Sequence, residues 1–318
     1  MKVDRSAVQA AVNSAHSDFS PDQGGENASY IPYLASVNPA LFGISVVTVD
    51  GEVFEAGDSN FEFALESISK VFSMARAMDE VGLPQFHDKV GADPTGEPFN
   101  SVIAVALHGD KPLSPLVNAG AMSTVSLIPA GSAEERWQKI LATQSAFAGR
   151  EITLSDAVNN SEQSTNFHNR AIAWLLYSGG TMYSDPMEAC DVYTRQCSTL
   201  VTTVDLATMG ATIAARGMNP VTKKGAIAHP DIVPPMLAEM TMEGLYTASG
   251  DWAYRVGLPG KSGVGGGVLA VMPGILAIAA FSPPLDAAGN SVRARRAVAQ
   301  IASALHLNLY NASDYASP

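Results

Sequence analysis

Ser67-Ile68-Ser69-Lys70 and Lys261-Ser262-Gly263 are the residues of this chain whose types and spacing point most directly to chemistry. At the start of a helix, positions i and i+3 share a face, so Ser67 and Lys70 can touch. A serine hydroxyl at its ordinary pKa is a weak nucleophile. A neighbouring lysine activates it only when the amine is itself neutral, which burial or a second cation achieves. Lys261 would be such a cation. A serine-lysine step joined by a later K-[ST]-G strand is a pattern of acyl transfer to serine followed by hydrolysis. Ile68, Val71, Phe72, Ala75 and Met78 continue the segment with helical spacing, and Gly82 is a stop signal.

The chain that must position these groups has 318 residues, enough for one large domain or two smaller ones. Apolar residues make up 47% and charged residues 16%, so much surface is expected to be buried in a core or between subunits. The net charge of −12 argues against nucleic acid as a partner, because phosphate binding needs basic surface. The start, Met1-Lys2-Val3-Asp4-Arg5, lacks the apolar stretch of a secretory signal, and no long apolar run marks a membrane span. A cytoplasmic enzyme with no membrane partner is expected. Cys190 and Cys197 are then expected to be reduced and buried. The histidines show no metal-ligand spacing. Gly263, Gly265, Gly266 and Gly267 invite comparison with a phosphate cradle, but a strand follows them rather than a helix.

Hydrophobic periodicity predicts an amphipathic helix over 5–18 and a β-branched strand over 42–49. That strand turns at Asp50-Gly51 and returns through Glu52-Val53-Phe54. The helix of Ser67 follows. From 85 to 245 the pattern is mostly helical, with helices expected over 169–177 and 204–216. Strands return at 268–272 and 275–281 around Pro273-Gly274, and a helix over 291–305 ends the pattern. The economical assembly is an α/β protein of the α+β type. Residues 1–84 and 246–318 build one antiparallel-type sheet flanked by helices, and 85–245 form an inserted, mostly helical part. Nucleophile and K-S-G strand would meet in the cleft between the two parts. On their residue types alone, other positions stay open. Tyr193 fits a core aromatic, Glu162 a solvated acid and Asn118 a cap or turn residue.

The two boxes resemble those of the serine β-lactamases and penicillin-binding proteins, whose usual third box, S-D-N or Y-x-N, is missing here. Several surrounding strings narrow the resemblance. They are Ala28-Ser29-Tyr30-Ile31-Pro32, Glu66-Ser67-Ile68-Ser69-Lys70-Val71-Phe72, Val117-Asn118-Ala119-Gly120-Ala121, Lys261-Ser262-Gly263-Val264, Ser282-Pro283-Pro284-Leu285-Asp286 and Gly289-Asn290-Ser291. Their order and spacing over residues 25–305 closely resemble the serine-dependent glutaminases. The resemblance implies a β-lactamase/DD-peptidase-like fold and a homo-oligomer, dimer or tetramer. It implies hydrolysis of a linear amide, L-glutamine, without metal or organic cofactor. It also implies that Ser67 is the nucleophile and Lys70 its base, and that Tyr30, Asn118, Glu162, Asn169, Tyr193, Tyr246 and Val264 line the substrate pocket. The family's commoner arginine before the asparagine is His168 here.

Glutamine fits these side chains. Glu162 can meet its ammonium; Asn118, Asn169, Tyr30 and Tyr193 can donate to its carboxylate. Tyr246 can relay a proton to departing ammonia, and the N–H groups of Ser67 and Val264 can hold an oxyanion. Glu162 and Asn169 stand seven residues apart, so one helix would turn both to the same side. Two rivals remain: a β-lactamase or penicillin-binding-like serine hydrolase, and a catalytically silent glutamine-binding protein.

Overall fold

The computed structural model describes residues 4–311; residues 1–3 and 312–318, at the outer ends of the expected sheet-containing part, lie outside the described residues. The β-branched run forms β1 (Gly43–Thr48), which turns at Asp50-Gly51 into β2 (Val53–Gly57) with Val46 opposite Phe54. Three short strands follow in sequence: β3 (Phe63–Ala64), β4 (Thr153–Leu154) and β5 (Thr199–Val201). The last strands are β6 (Gly260–Ser262), β7 (Gly267–Met272) and β8 (Leu276–Phe281). The main sheet has the order β2-β1-β8-β7-β6 and is antiparallel throughout. Strands from both chain regions therefore share one sheet, and Val46, Ile278 and Ala270 face one another across it.

Both faces of this sheet are covered, so β1, β7 and β8 are runs of buried residues. On one face Ile44, Val46, Val268, Ala270 and Ile278 meet Val8 and Val12 of helix Arg5–Phe19. Ala294, Val298 and Ile301 of helix Val292–Ala304 complete that layer. On the other face Val47, Leu269, Val271, Ala277 and Phe281 meet Leu206, Met209 and Ile213 of helix Thr203–Ala214. This second core runs on without a break into helices Lys70–Val81, Asn118–Leu127, Ala133–Ala148 and Pro186–Cys197. A small sheet, β3-β5-β4, joins the chain just before Ser67 to the helical region, with Phe63 opposite Val201. Cys190 and Cys197 are buried free thiols in the same core. Among the described residues no helix is long and apolar enough to cross a membrane.

Two local expectations are corrected. Ser67 does not open the α-helix. It sits in a 3-10 turn, Glu66–Ser69, and the α-helix begins at Lys70. The turn forms because Glu66 adopts a left-handed conformation (φ 51°), which directs the chain off β3 before the helix can start. Nor do Glu162 and Asn169 share one helix. The chain breaks at Asn166 between helices Asp156–Thr165 and Phe167–Ser178, and Asn166 Nδ2 ties the corner to Thr194 Oγ1 at 2.9 Å.

Gly210 marks the tightest approach of helix Thr203–Ala214 to the sheet. A Cβ there would lie 2.6 Å from both Ala277 Cβ and Leu269 Cδ1. Leu269 can swing aside, but the Ala277 methyl is fixed to β8. Gly210→Ala is expected to destabilise the protein by about 1–3 kcal/mol through overpacking, read as a lower urea midpoint at unchanged m. An unchanged midpoint would mean that the helix is free to lift off the sheet.

Candidate active site

The turn carrying Ser67 packs between β6 and β7 on one side and helix Pro186–Cys197 on the other. Leu65 N–H donates to Thr199 O at 2.9 Å, which pins the turn to β5. One turn later, Lys70 points back at Ser67. Its Nζ donates to Ser67 Oγ at 3.0 Å and to Asn118 Oδ1 at 2.7 Å, and the side chain is completely buried. Burial lowers the Lys70 pKa to about 8; the nearby Cys197, Glu66, Glu162 and Glu243 pull it upward and do not cancel the desolvation. The amine is thus far closer to neutrality at physiological pH than a surface lysine.

Asn118 is the hub of the site. It opens helix Asn118–Leu127, but its side chain does not cap that helix. Its Oδ1 accepts from Lys70 and, at 3.0 Å, from Tyr193 OH; its Nδ2 donates to Asn169 Oδ1 at 2.9 Å. The Tyr193 hydroxyl is therefore tied to a side chain rather than to backbone. Asn169 lies on helix Phe167–Ser178, and the preceding His168 turns the other way, with Nε2 2.6 Å from Asn100 O.

Lys261 and Tyr246 enter from the other side. Lys261 Nζ donates to Gly244 O at 3.0 Å and to Ser262 O at 2.9 Å, and lies 4.2 Å from the centre of the Tyr246 ring. Burial, then the charge of Lys70, push the Lys261 pKa well below the ordinary value, while Glu243 opposes them. The depression of Lys70 comes first from desolvation. Tyr246 donates to Ser262 O at 3.1 Å. Its hydroxyl also lies near Ser67, and burial pushes its pKa up, so it stays a phenol. Like Glu66, Tyr246 has a positive φ (57°), so backbone strain flanks Ser67 from two directions. Ser262 Oγ donates to Asn290 Oδ1 at 2.5 Å, and Asn290 Nδ2 reaches Leu245 O at 3.3 Å. The Gly289-Asn290-Ser291 string thereby clamps the K-S-G strand to the Tyr246 turn.

After β6 the chain runs against the backbone of β3. A Cβ on Gly265 would sit 2.4 Å from Ala64 O, so only glycine permits this approach. The approach brings Val264 beside the Ser67 turn, and among the described residues the Val264 N–H has no acceptor. Glu162 is buried on helix Asp156–Thr165. Its Oε1 accepts from Ser198 Oγ at 3.5 Å, and burial raises its pKa to about 7 despite that bond and another from Glu66. Tyr30, 56% exposed, lines a cleft of about 560 Å³ with Tyr246, Phe99, Leu285 and Asp286. Sequence reasoning passed over Glu66 and Glu243. For Glu66 the signal was available: an acid at the end of the apolar run Phe63-Ala64-Leu65, directly before Ser67.

A family model described as Glutaminase matches residues 25–310. The chain belongs to the glutaminase family. It is 64% identical to a glutaminase of Bordetella avium over 311 residues, 98% of this chain and 99% of that protein. It is 62% identical to glutaminase 1 of Shigella flexneri over 97% of this chain and 99% of that one. Among solved structures, a probable glutaminase, YbaS, superposes with a TM-score of 0.96 at 61% identity, covering 97% of this chain and all of that one. Mglu in its glutamate form superposes with a TM-score of 0.91 at 34% identity, over 97% of this chain and 71% of that one. The fold is the β-lactamase-like fold of glutaminases, and the protein is a glutaminase enzyme.

Removing the hub should disturb several groups at once. Asn118→Ala leaves the buried Lys70, Tyr193 and Asn169 without their shared partner, and each unmet group costs about 1–3 kcal/mol. Glutaminase kcat/KM is expected to fall about 10²-fold or more through misplacement of Lys70. Steady-state kinetics on the folded variant check this; retained kcat/KM would show that Lys70 needs no such anchor.

Proposed function

We propose that this glutaminase hydrolyses L-glutamine to L-glutamate and ammonia through a glutamyl-Ser67 ester. The observation that carries the reading is the 3.0 Å contact between Lys70 Nζ and Ser67 Oγ, made by a fully buried amine whose pKa is lowered to about 8. Neutral Lys70 takes the Ser67 proton as Oγ bonds to the side-chain amide carbon. The N–H groups of Ser67 and Val264 hold the oxyanion, where each donor is worth roughly 3 kcal/mol. As the C–N bond breaks, Tyr246 gives its proton to the departing nitrogen, and the Lys70 ammonium returns one to the phenolate. Water, deprotonated by Lys70, then attacks the ester carbonyl carbon; as the C–Oγ bond breaks, the Lys70 ammonium returns the proton to Ser67 Oγ and glutamate is released.

Recognition of the substrate head falls to the outer residues. The Glu162 carboxylate faces the ammonium. Asn118 Nδ2 keeps a second N–H beyond the one given to Asn169, and Asn169 Nδ2 and the Tyr30 hydroxyl add further donors for the carboxylate. Lys261 holds the K-S-G strand and the Tyr246 ring rather than the substrate. The reading includes a cytoplasmic homo-oligomer, dimer or tetramer. The low charged fraction and the exposed Phe167, Trp174 and Tyr177 of one helix support the oligomer.

Ammonia release from L-glutamine by wild type and Ser67→Ala, with L-asparagine as second substrate, tests this reading. Activity should vanish in the variant. Asparagine should be a poor substrate, because one methylene fewer withdraws its carbonyl from Ser67 by about 1 Å or more. Full activity in Ser67→Ala would overturn the mechanism, and comparable kcat/KM values for the two amides would overturn the assigned pocket.

A further inference from the structure

Glu66 sits directly before the nucleophile and is 3% exposed. Its left-handed backbone turns the side chain across the Gly263–Gly265 loop, where its Cβ and Cγ would lie 3.2 and 3.1 Å from Cβ atoms placed on those two glycines. Among the described residues no lysine or arginine forms an ion pair with the carboxyl, and Lys70 spends its contacts on Ser67 and Asn118. Glu66 Oε1 is buried without a donor, and the polar group that the carboxyl does meet is the carboxyl of Glu162. The charged and titratable groups facing it from the surrounding elements are Glu162, Lys70, Tyr30, Tyr193, Tyr246 and Cys197.

Two ionised carboxylates in contact inside a protein repel strongly, and one of them keeps a proton. We propose that Glu66 is that one: it works as a carboxylic acid, donating its proton to Glu162 and so positioning a single carboxylate charge for the α-ammonium of the substrate. The surroundings favour that direction: Glu162 Oε1 already accepts from Ser198 Oγ at 3.5 Å, whereas Glu66 Oε1 is buried without a donor, so the charge is better placed on Glu162. Burial and the neighbouring Glu162 hold the Glu66 pKa well above the ordinary range. Glu66 thus acts through Glu162. The pair carries one negative charge against one ammonium, and a fully ionised pair would carry two. The proposal rests on the glutaminase reading of the pocket, and its test separates the two.

The first arm does not depend on turnover. Unfolded, Glu66 ionises near 4.5; folded, it holds its proton to much higher pH. Between those values the folded state binds one proton more than the unfolded state, so Glu66 makes stability fall as pH rises. Glu66→Gln keeps a donor toward Glu162 and removes this titration. Its Tm relative to wild type should therefore climb steadily from about pH 5 to about pH 8. A Tm difference that stays flat or declines over that range would overturn the proposal.

The second arm reads recognition. Glu66→Gln should bind L-glutamine with a KM at least tenfold below that of Glu66→Ala, which leaves Glu162 without its donor, while kcat differs less between the two. Equal KM values would overturn the positioning role. The melting curves also report whether each variant folds. A wild type that releases no ammonia from glutamine would refute the catalytic reading, with the melting arm still deciding whether Glu66 holds its proton.

Discussion

The desolvation of the Lys70 amine is the constraint on which the site depends. Hydrated, that amine would stay an ammonium and could not receive the Ser67 proton. Buried, it needs hydrogen-bond acceptors to be tolerated at all. The structure supplies one strong acceptor, Asn118 Oδ1, and leaves Ser67 Oγ as the other. Everything close to Lys70 serves these two needs. Helix Asn118–Leu127 brings the amide, helix Pro186–Cys197 brings Tyr193 to share it, and the acids Glu162 and Glu243 keep the amine from losing its proton affinity altogether. On the proposed mechanism Lys70 keeps enough affinity to take the Ser67 proton and too little to hold it permanently.

Such an arrangement demands a rigid frame, because an ångström of slack would break the Ser67–Lys70 contact. The continuous core beneath the sheet gives that frame. It joins the second face of the five-stranded sheet to the helices holding Lys70, Asn118 and Tyr193 without an intervening seam. The K-S-G strand reaches the site from the edge of the sheet, clamped through Ser262 and Asn290. At Glu66 and Tyr246, two of several non-glycine residues with positive φ, the packed frame imposes unfavourable backbone geometry, at a typical cost of about 1–3 kcal/mol each. Both lie against the nucleophile, where they aim a carboxyl and a phenol that regular helices would have directed elsewhere.

Much of this was legible in the sequence where the signal is local. Asp50-Gly51 and Pro273-Gly274 mark two of the hairpins, and the apolar runs beside them are strands of one sheet. The serine-lysine step and the K-S-G box lie together as their chemistry requires. What was not legible depends on tertiary contacts. Nothing in the spacing of Glu162 and Asn169 reveals a helix break at Asn166, because the break is held by Thr194 on another helix. Asn118 reads as a cap until Lys70 and Tyr193 arrive from distant segments. Lys261 reads as a cation aimed at Lys70, yet its donors go to the carbonyls of Gly244 and Ser262. The Glu66–Glu162 contact is invisible for the same reason: it pairs two like charges that no local rule would bring together.

The most direct test of the central claim is the ionisation of Lys70 itself. Heteronuclear NMR of protein labelled at lysine, with Lys70→Arg to assign the resonance, would follow the amine through a pH titration. The expected result is a titration near 8, set apart from the surface lysines. A Lys70 amine that titrates at about 10.4, as an ordinary lysine does, would contradict its role as the base that activates Ser67.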